Sequence, residues 1–352
     1  MYAVVKSKPA PGAEIRTVDR PEVGDYEVLV EVKAATICGT DVHIWDWNPW
    51  AQGRIRPPLI MGHEFCGEVV EIGGGVTRVR VGDLVSAETH IVDDTCYQCL
   101  TGKKHLCLHT EILGVDRDGV FAEYVVLPEE NAWVNDPRLD PFLASLQEPL
   151  GNAVHSALPE DNIEDITGGY AAVLGCGPIG LMSIAVLKKL GASKVIATEI
   201  KPLRLEFAKA MGADLTLNPL KERDLVRRVL EYTDGRGVDV VLEMSGSPSA
   251  LIQGLEMATN GGRVSLLGLP EASVGIDVSR LIVFKGLRIF GITGRRMFKT
   301  WYQVRELLRD RGFREKMERL ITHRLPMAEI NKGMALIKSG EAVKVGLYPT
   351  WE

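Results

Sequence analysis

A chain of 352 residues, 45% of them hydrophobic, is long enough to bury a core in each of two domains. Its net charge of -6 lacks the basic excess that phosphate backbones and anionic membrane surfaces attract, so nucleic acid is excluded as an expected partner. The opening MYAVVKSKPAPG holds no apolar run of signal-peptide length, and the expected location is the cytoplasm.

Up to about Asp136 the chain reads as short β-type runs broken by Gly, Pro and Asp: EVLVEVKAA, CGEVVEIG, DLVSAE and FAEYVVLP. This pattern predicts an all-β module with long loops. From Gly168 apolar runs alternate with helical patterns: AAVLG with IGLMSIAVLKKLG, KVIATE with LRLEFAKAMG, VDVVLEM with SALIQGLEMA, GRVSLLG with LIVFKG, and LRIFGI to finish. Such alternation predicts a parallel sheet covered on both faces. Beyond about Thr293 come amphipathic helices around WYQVRELLRD and INKGMALIKSG, then the strand-like KVGLYPT, which could return to the first module. The uncharged run from Thr167 to Leu187 is long enough to imitate a membrane span, but its interior Gly and Pro point to a strand followed by a helix. No membrane partner is expected.

Within the change of pattern lies GCGPIG, a G-x-G-x-x-G at Gly175, Gly177 and Gly180. Gly175 allows the tight turn, Gly177 lets a pyrophosphate approach the backbone, and Gly180 lets helix and strand pack closely, with the helix N-terminus as the anion site. The next strand, KVIATE, ends in Glu199, a carboxylate that can accept both ribose hydroxyls. The same charge repels a 2′-phosphate, which favours NAD over NADP, although Lys201 and Arg204 follow closely and blunt the preference.

Upstream, TICGTDVHIW clusters Cys38, Thr40 and His43, and MGHEFCGEVVEIGGGV sets His63 beside Glu64. A catalytic zinc takes three protein ligands and leaves a position for water or substrate. Cys38 and His63 form the natural pair, with a third ligand from Glu64 or from Glu148 in LQEPLGNAVH. Taken singly, each has a plainer reading, since a Cys after an apolar strand is commonly a small buried hydrophobe and a lone His a hydrogen-bonded structural residue. A nicotinamide domain nevertheless needs a group that handles the alcohol proton, and zinc lowers the pKa of a bound hydroxyl. In DDTCYQCLTGKKHLC the crowding of Cys96, Cys99 and Cys107 points to metal more than to disulfides.

GHEFCGEVVEIGGGV resembles the zinc alcohol dehydrogenase signature at Gly62, His63, Glu64, Gly67 and Gly73, and the chain is similar to zinc-dependent medium-chain dehydrogenases over essentially its whole length. ICGTDVHIWDW, GNAVHSAL, GRRMFKTWYQV and ITHRL resemble the branch of that family that oxidises L-threonine. The resemblance implies an α/β chain. A Rossmann doubly wound parallel sheet would bind NAD over residues 156–293, and a GroES-like β-barrel-type catalytic domain would be formed by residues 1–155 and 294–352. It implies Cys38 and His63 as ligands of a catalytic zinc, Glu64 as a further or exchangeable ligand, and Glu148 as a carboxylate beside the metal that serves the proton relay. Thr40 and His43 would pass the hydroxyl proton outward. For NAD it implies Ile179, Glu199 and Arg204, the backbone of Leu267, Gly268 and Leu269, and Ile292 and Thr293 near the nicotinamide.

Members of that family carry a second, structural zinc on four cysteines spaced C-x2-C-x2-C-x7-C. Cys96, Cys99 and Cys107 fall on the last three positions and Asp93 on the first. An ionised Asp keeps the charge of a thiolate, and a Zn–O bond of about 2.0–2.2 Å against about 2.3 Å for Zn–S makes the exchange possible with weaker binding. Four ligands leave no open position, so this is not where catalysis is expected. Cys66 and Cys176 read as packing residues. The expected reaction is NAD-dependent oxidation of L-threonine to 2-amino-3-oxobutanoate, with a polyol or secondary alcohol of the sorbitol or butanediol type as the alternative. Arg295 and Trp45 are candidates to grip the substrate's charged groups. The resemblance also implies a homotetramer, with LRIFGI as an edge strand for pairing between subunits.

Overall fold

The structure, a computed structural model, describes residues 1–351. It divides into two compact units, one of Met1–Glu148, Arg296–Trp301 and the chain from Met317 onward, the other of Pro149–Arg295 and Tyr302–Lys316.

In the first unit the ten-residue strand Glu27–Thr36 is the spine. It pairs antiparallel with Glu64–Ile72, with Tyr124–Pro128 and with the C-terminal strand Lys344–Tyr348. The expected return of KVGLYPT to the first module is therefore what forms. Val28, Val30, Val32, Phe65, Val69, Phe121 and Leu347 fill one core beneath this sheet. Register decides what meets at its end: Thr36 stands opposite both Glu64 and Gly346.

The module is not all β. Helix Gly39–Asp46 follows the spine directly, because Asp41 turns back to accept the Cys38 backbone N–H at 2.8 Å and closes its first turn. Helix Pro49–Arg54 starts on a Pro with Asn48 Oδ1 accepting the Ala51 N–H at 3.0 Å.

The second unit holds a six-stranded parallel sheet in the order Leu215–Leu217, Lys194–Thr198, Tyr170–Leu174, Val238–Glu243, Ala258–Leu266, Arg288–Gly291. Numbered by appearance this is 3-2-1-4-5-6, the doubly wound order of dinucleotide-binding sheets. The third strand and the helix Leu225–Tyr232 after it were not expected; LTL is only three residues long and partly buried, too short to announce itself. The run LIVFKG gives a single π-type turn, Ser279–Val283. The uncharged run from Thr167 resolves into strand Tyr170–Leu174 and helix Pro178–Lys189, and among the described residues no helix is long and apolar enough to cross a membrane.

Domain boundaries differ from those expected at 155 and 294. Residues 149–155 and Tyr302–Lys316 group with the parallel sheet. Polar contacts hold them there: His155 Nδ1 lies 2.8 Å from the Gly294 carbonyl, Lys316 donates to the Met211 carbonyl at 2.8 Å, and Lys189 pairs with Asp310 at 2.6 Å.

Two glycines of the turn do different work. A Cβ on Gly180 would sit 2.0 Å from the Gly175 carbonyl oxygen, whereas one on Gly177 would meet nothing within 4 Å. Gly180→Ala is therefore expected to cost about 1–3 kcal/mol, read as a lower melting temperature, while Gly177→Ala leaves the melting temperature at the wild-type value.

Candidate metal centres and cofactor edge

At the end of the spine strand, one ligand atom each from Cys38, His63 and Glu64 lies within 4.8 Å of the others. His63 is delivered by Gly62, whose φ of +90° suits glycine and whose missing Cβ makes room for the Phe121 ring, 2.3 Å from where that carbon would stand. His63 and Glu64 are buried, and Cys38 is partly exposed. The predicted pair thus comes together just beyond the strand ends, with Glu64 as the third donor.

Glu64 is tied on both sides. Lys344 Nζ donates to its Oε1 at 2.7 Å, and the Thr36 hydroxyl donates to its Oε2. Lys344 is fully buried; burial works against its charge, but Glu64 and Cys38 outweigh that and hold it above its ordinary value. Asp41, also fully buried, places Oδ1 3.7 Å from His63 Nδ1, and both atoms lack a hydrogen-bond partner. Burial pushes the Asp41 carboxyl up to about 6, against the pull of His63. For His63 burial opposes a charge, yet the Cys38 thiolate and Asp41 raise the imidazole to about 10. The field that pulls a proton onto this ring is the field that holds a divalent cation. Orphaned buried atoms, a mixed sulfur, nitrogen and oxygen donor set and excess negative charge all fit zinc.

Glu148 is buried in the same unit, its Oε1 receiving the Thr89 hydroxyl at 3.5 Å, but it is not one of the three converging donors. Thr40 Oγ1 lies 3.9 Å from Cys38 Sγ. His43 is exposed, and the Asn48 side-chain amide donates to its Nδ1 at 2.9 Å. Asn48 Oδ1 is engaged by Ala51, so the amide orientation is fixed and the neutral ring carries its hydrogen on Nε2. Trp45 uses its carbonyl to accept from the buried Lys6 at 3.2 Å, and Arg295 is buried with its side chain against Gly151.

The second cluster is Asp93, Cys96, Cys99 and Cys107, again with donor atoms within 4.8 Å of one another. Backbone N–H groups point at it: Asp93 and His109 donate to Cys107 Sγ at 3.5 and 3.4 Å, and those of Cys99 and Leu108 hold the Cys96 thiol below its ordinary value. Asp93 Oδ1 accepts from Thr95 and Cys96, and these bonds with that of His109 keep the carboxylate ionised well below its usual range. Burial, and then hydrogen bonds to Cys96, Cys107 and Asp93, push the Cys99 thiol up to about 12. This donor set also fits zinc. Cys66 and Cys176 are fully buried away from both clusters.

In the second unit every residue expected at NAD follows the C-terminal end of a parallel strand, except Arg204, which lies in helix Pro202–Met211. Gly175–Gly180 with Ile179 follow Leu174, Glu199 follows Thr198, Leu267–Leu269 follow Leu266, and Ile292 and Thr293 follow Gly291. Gly177 caps helix Pro178–Lys189. Glu199 is pinned by backbone N–H groups of Cys176, Ile200 and Lys201 at 2.9, 2.8 and 2.9 Å, with Arg204 at 3.9 Å.

Asp41, Thr36, Lys344, Asn48 and His109 are the polar neighbours that sequence reading missed. For Asp41 a signal existed, a carboxylate three residues after Cys38 at capping-box spacing. Lys344 carries none; it lies 280 residues from Glu64.

The family described as "Zinc-binding dehydrogenase" matches residues 178–310, and "Alcohol dehydrogenase GroES-like domain" matches residues 24–136. The chain is 52% identical over 349 residues to an L-threonine 3-dehydrogenase from Caldanaerobacter subterraneus subsp. tengcongensis, covering 99% of each. Among solved structures, one from Sinorhizobium meliloti bound to NADP superposes with a TM-score of 0.88 at 30% identity, covering 99% of both chains. The 2R,3R-butanediol dehydrogenase of Bacillus subtilis does so with a TM-score of 0.87 at 31% identity and the same coverage.

Removing Lys344 leaves the Glu64 charge buried without its partner. Lys344→Met is expected to cost about 3–5 kcal/mol in chemical denaturation, and Lys344→Arg much less.

Proposed function

Because the chain belongs to the zinc-dependent medium-chain dehydrogenases, we propose that it oxidises the β-hydroxyl of L-threonine to 2-amino-3-oxobutanoate with NAD as hydride acceptor. The full-length likeness to an L-threonine 3-dehydrogenase, on a chain whose Cys38, His63 and Glu64 converge, carries this reading. A zinc held by Cys38 and His63, with Glu64 as an exchangeable ligand, supplies the Lewis acidity that makes the substrate hydroxyl acidic.

The chain's own groups do the rest. Thr40, beside Cys38 Sγ, accepts the hydroxyl proton as it passes its own on; the exposed His43 takes that proton at Nδ1, displacing the Asn48 amide, and gives up its Nε2 hydrogen to solvent. Glu148 assists from its buried place near the charges of His63 and Lys344. Asp41 and Lys344 orient His63 and Glu64 in turn. Gly175, Gly177, Ile179 and Gly180 cradle the pyrophosphate, Glu199 takes the ribose hydroxyls, Arg204 flanks them, and Leu267–Leu269, Ile292 and Thr293 line the nicotinamide end.

NAD rather than NADP is the reading for this chain because three backbone N–H groups hold the acidic Glu199 side chain just after strand Lys194–Thr198, where this sheet order expects the ribose to be read. A second zinc belongs to Asp93, Cys96, Cys99 and Cys107 as a closed structural site. We assign a cytoplasmic homotetramer. Six free cysteines suit a reducing compartment, and Arg288–Gly291 lies at the sheet edge, where a second copy could pair.

With NAD in excess, NADH formation should run at least about tenfold faster in kcat/KM on L-threonine than on sorbitol or 2,3-butanediol, a gap of about 1.4 kcal/mol in transition-state binding. Equal rates would make this an alcohol dehydrogenase of broader type. In parallel, titration should show NAD binding at least about tenfold tighter than NADP, and Glu199→Gln should narrow that gap by removing the charge.

A further inference from the structure

His109 stands two residues beyond Cys107 with its side chain 71% exposed, yet it touches two of the four donors of the Asp93 cluster. Its Nδ1 lies 2.5 Å from Asp93 Oδ2, and its backbone N–H reaches Cys107 Sγ at 3.4 Å. The other carboxylate oxygen, Oδ1, is already held by the N–H groups of Thr95 and Cys96 at 2.9 and 3.0 Å. Both oxygens of Asp93 are therefore held, Oδ1 by the backbone N–H groups of Thr95 and Cys96 and Oδ2 by the His109 ring.

Chemistry gives a reason. A cysteine presents its sulfur once χ1 is set, but an aspartate reaches one atom further and turns about a broad, roughly two-fold χ2. An aspartate in a thiolate's place thus needs a second hold that a cysteine does not. Carboxylate ligands are commonly held in this way by outer hydrogen bonds, whose loss typically weakens metal binding about 10–100-fold.

We propose that Asp93 and His109 act as one unit in place of a fourth cysteine: His109 is the positioning residue that turns the Asp93 carboxylate into a zinc ligand. The proposal rests on the reading that this loop binds zinc. It assigns His109 no place in the ligand set and none in the oxidation of substrate.

The test measures zinc in the purified holoenzyme and its release to a chromogenic chelator, with the absorption spectrum of cobalt exchanged into the loop as a second readout. His109→Ala should release the loop metal about 10–100-fold faster and alter the cobalt spectrum. His109→Asn, whose amide nitrogen can stand where Nδ1 stands, should restore most of the retention. In an Asp93→Cys background, His109→Ala should change nothing. Wild-type protein with two zincs per chain and unchanged release in His109→Ala would overturn the proposal alone. Equal acceleration in both backgrounds would do the same, since His109 would then act through the loop's fold. One zinc per chain in the wild type, retained on Asp93→Ala, would overturn the loop reading and this proposal with it.

Discussion

Crowding anions into a dry pocket is costly unless a positive charge answers them, and the end of the Glu27–Thr36 strand does so with few cations in reach. Glu64 and Asp41 are fully buried there, His63 nearly so, and the Cys38 sulfur lies within the same cluster. Lys344 is buried among them but committed to Glu64. What remains is a sulfur, an imidazole and unspent negative charge, which suits a divalent cation better than any rearrangement of the side chains present. The register of three strands produces this arrangement, since Thr36 faces Glu64 on one side and Gly346, two residues from Lys344, on the other.

The two clusters solve the same electrostatic problem by different means. The first draws its groups from distant parts of the chain, so the sheet assembles it and folding positions it. The second lies within residues 93–109 and leans on backbone N–H groups aimed at its sulfurs. A loop of that kind gains order from the metal it binds. The second cluster brings together four donors, the number that fills a tetrahedral shell, whereas the first brings together three.

What could be read from the sequence was what is local in it. GCGPIG, Glu199 and the Cys38 and His63 motifs carry their signals within a few residues; the first two follow the ends of parallel strands, and the last two come together with Glu64. The helix Gly39–Asp46 was hidden by β-type neighbours, although Asp41 signalled its cap. Lys344 could not be read at all, because only pairing of the first and last long strands of that sheet brings it to Glu64. The two compact units divide the chain at other residues than 155 and 294 for a related reason. Helix Gln147–Ala157 is continuous across the first of them, and the contacts of Tyr302–Lys316 with the parallel sheet leave no mark in the local pattern.

The most direct measurement is anomalous scattering from crystals of the purified protein on both sides of the zinc absorption edge. The account requires a peak bonded to Cys38 Sγ and His63. Crystals with zinc present in the growth medium and no anomalous density between those two side chains would contradict it.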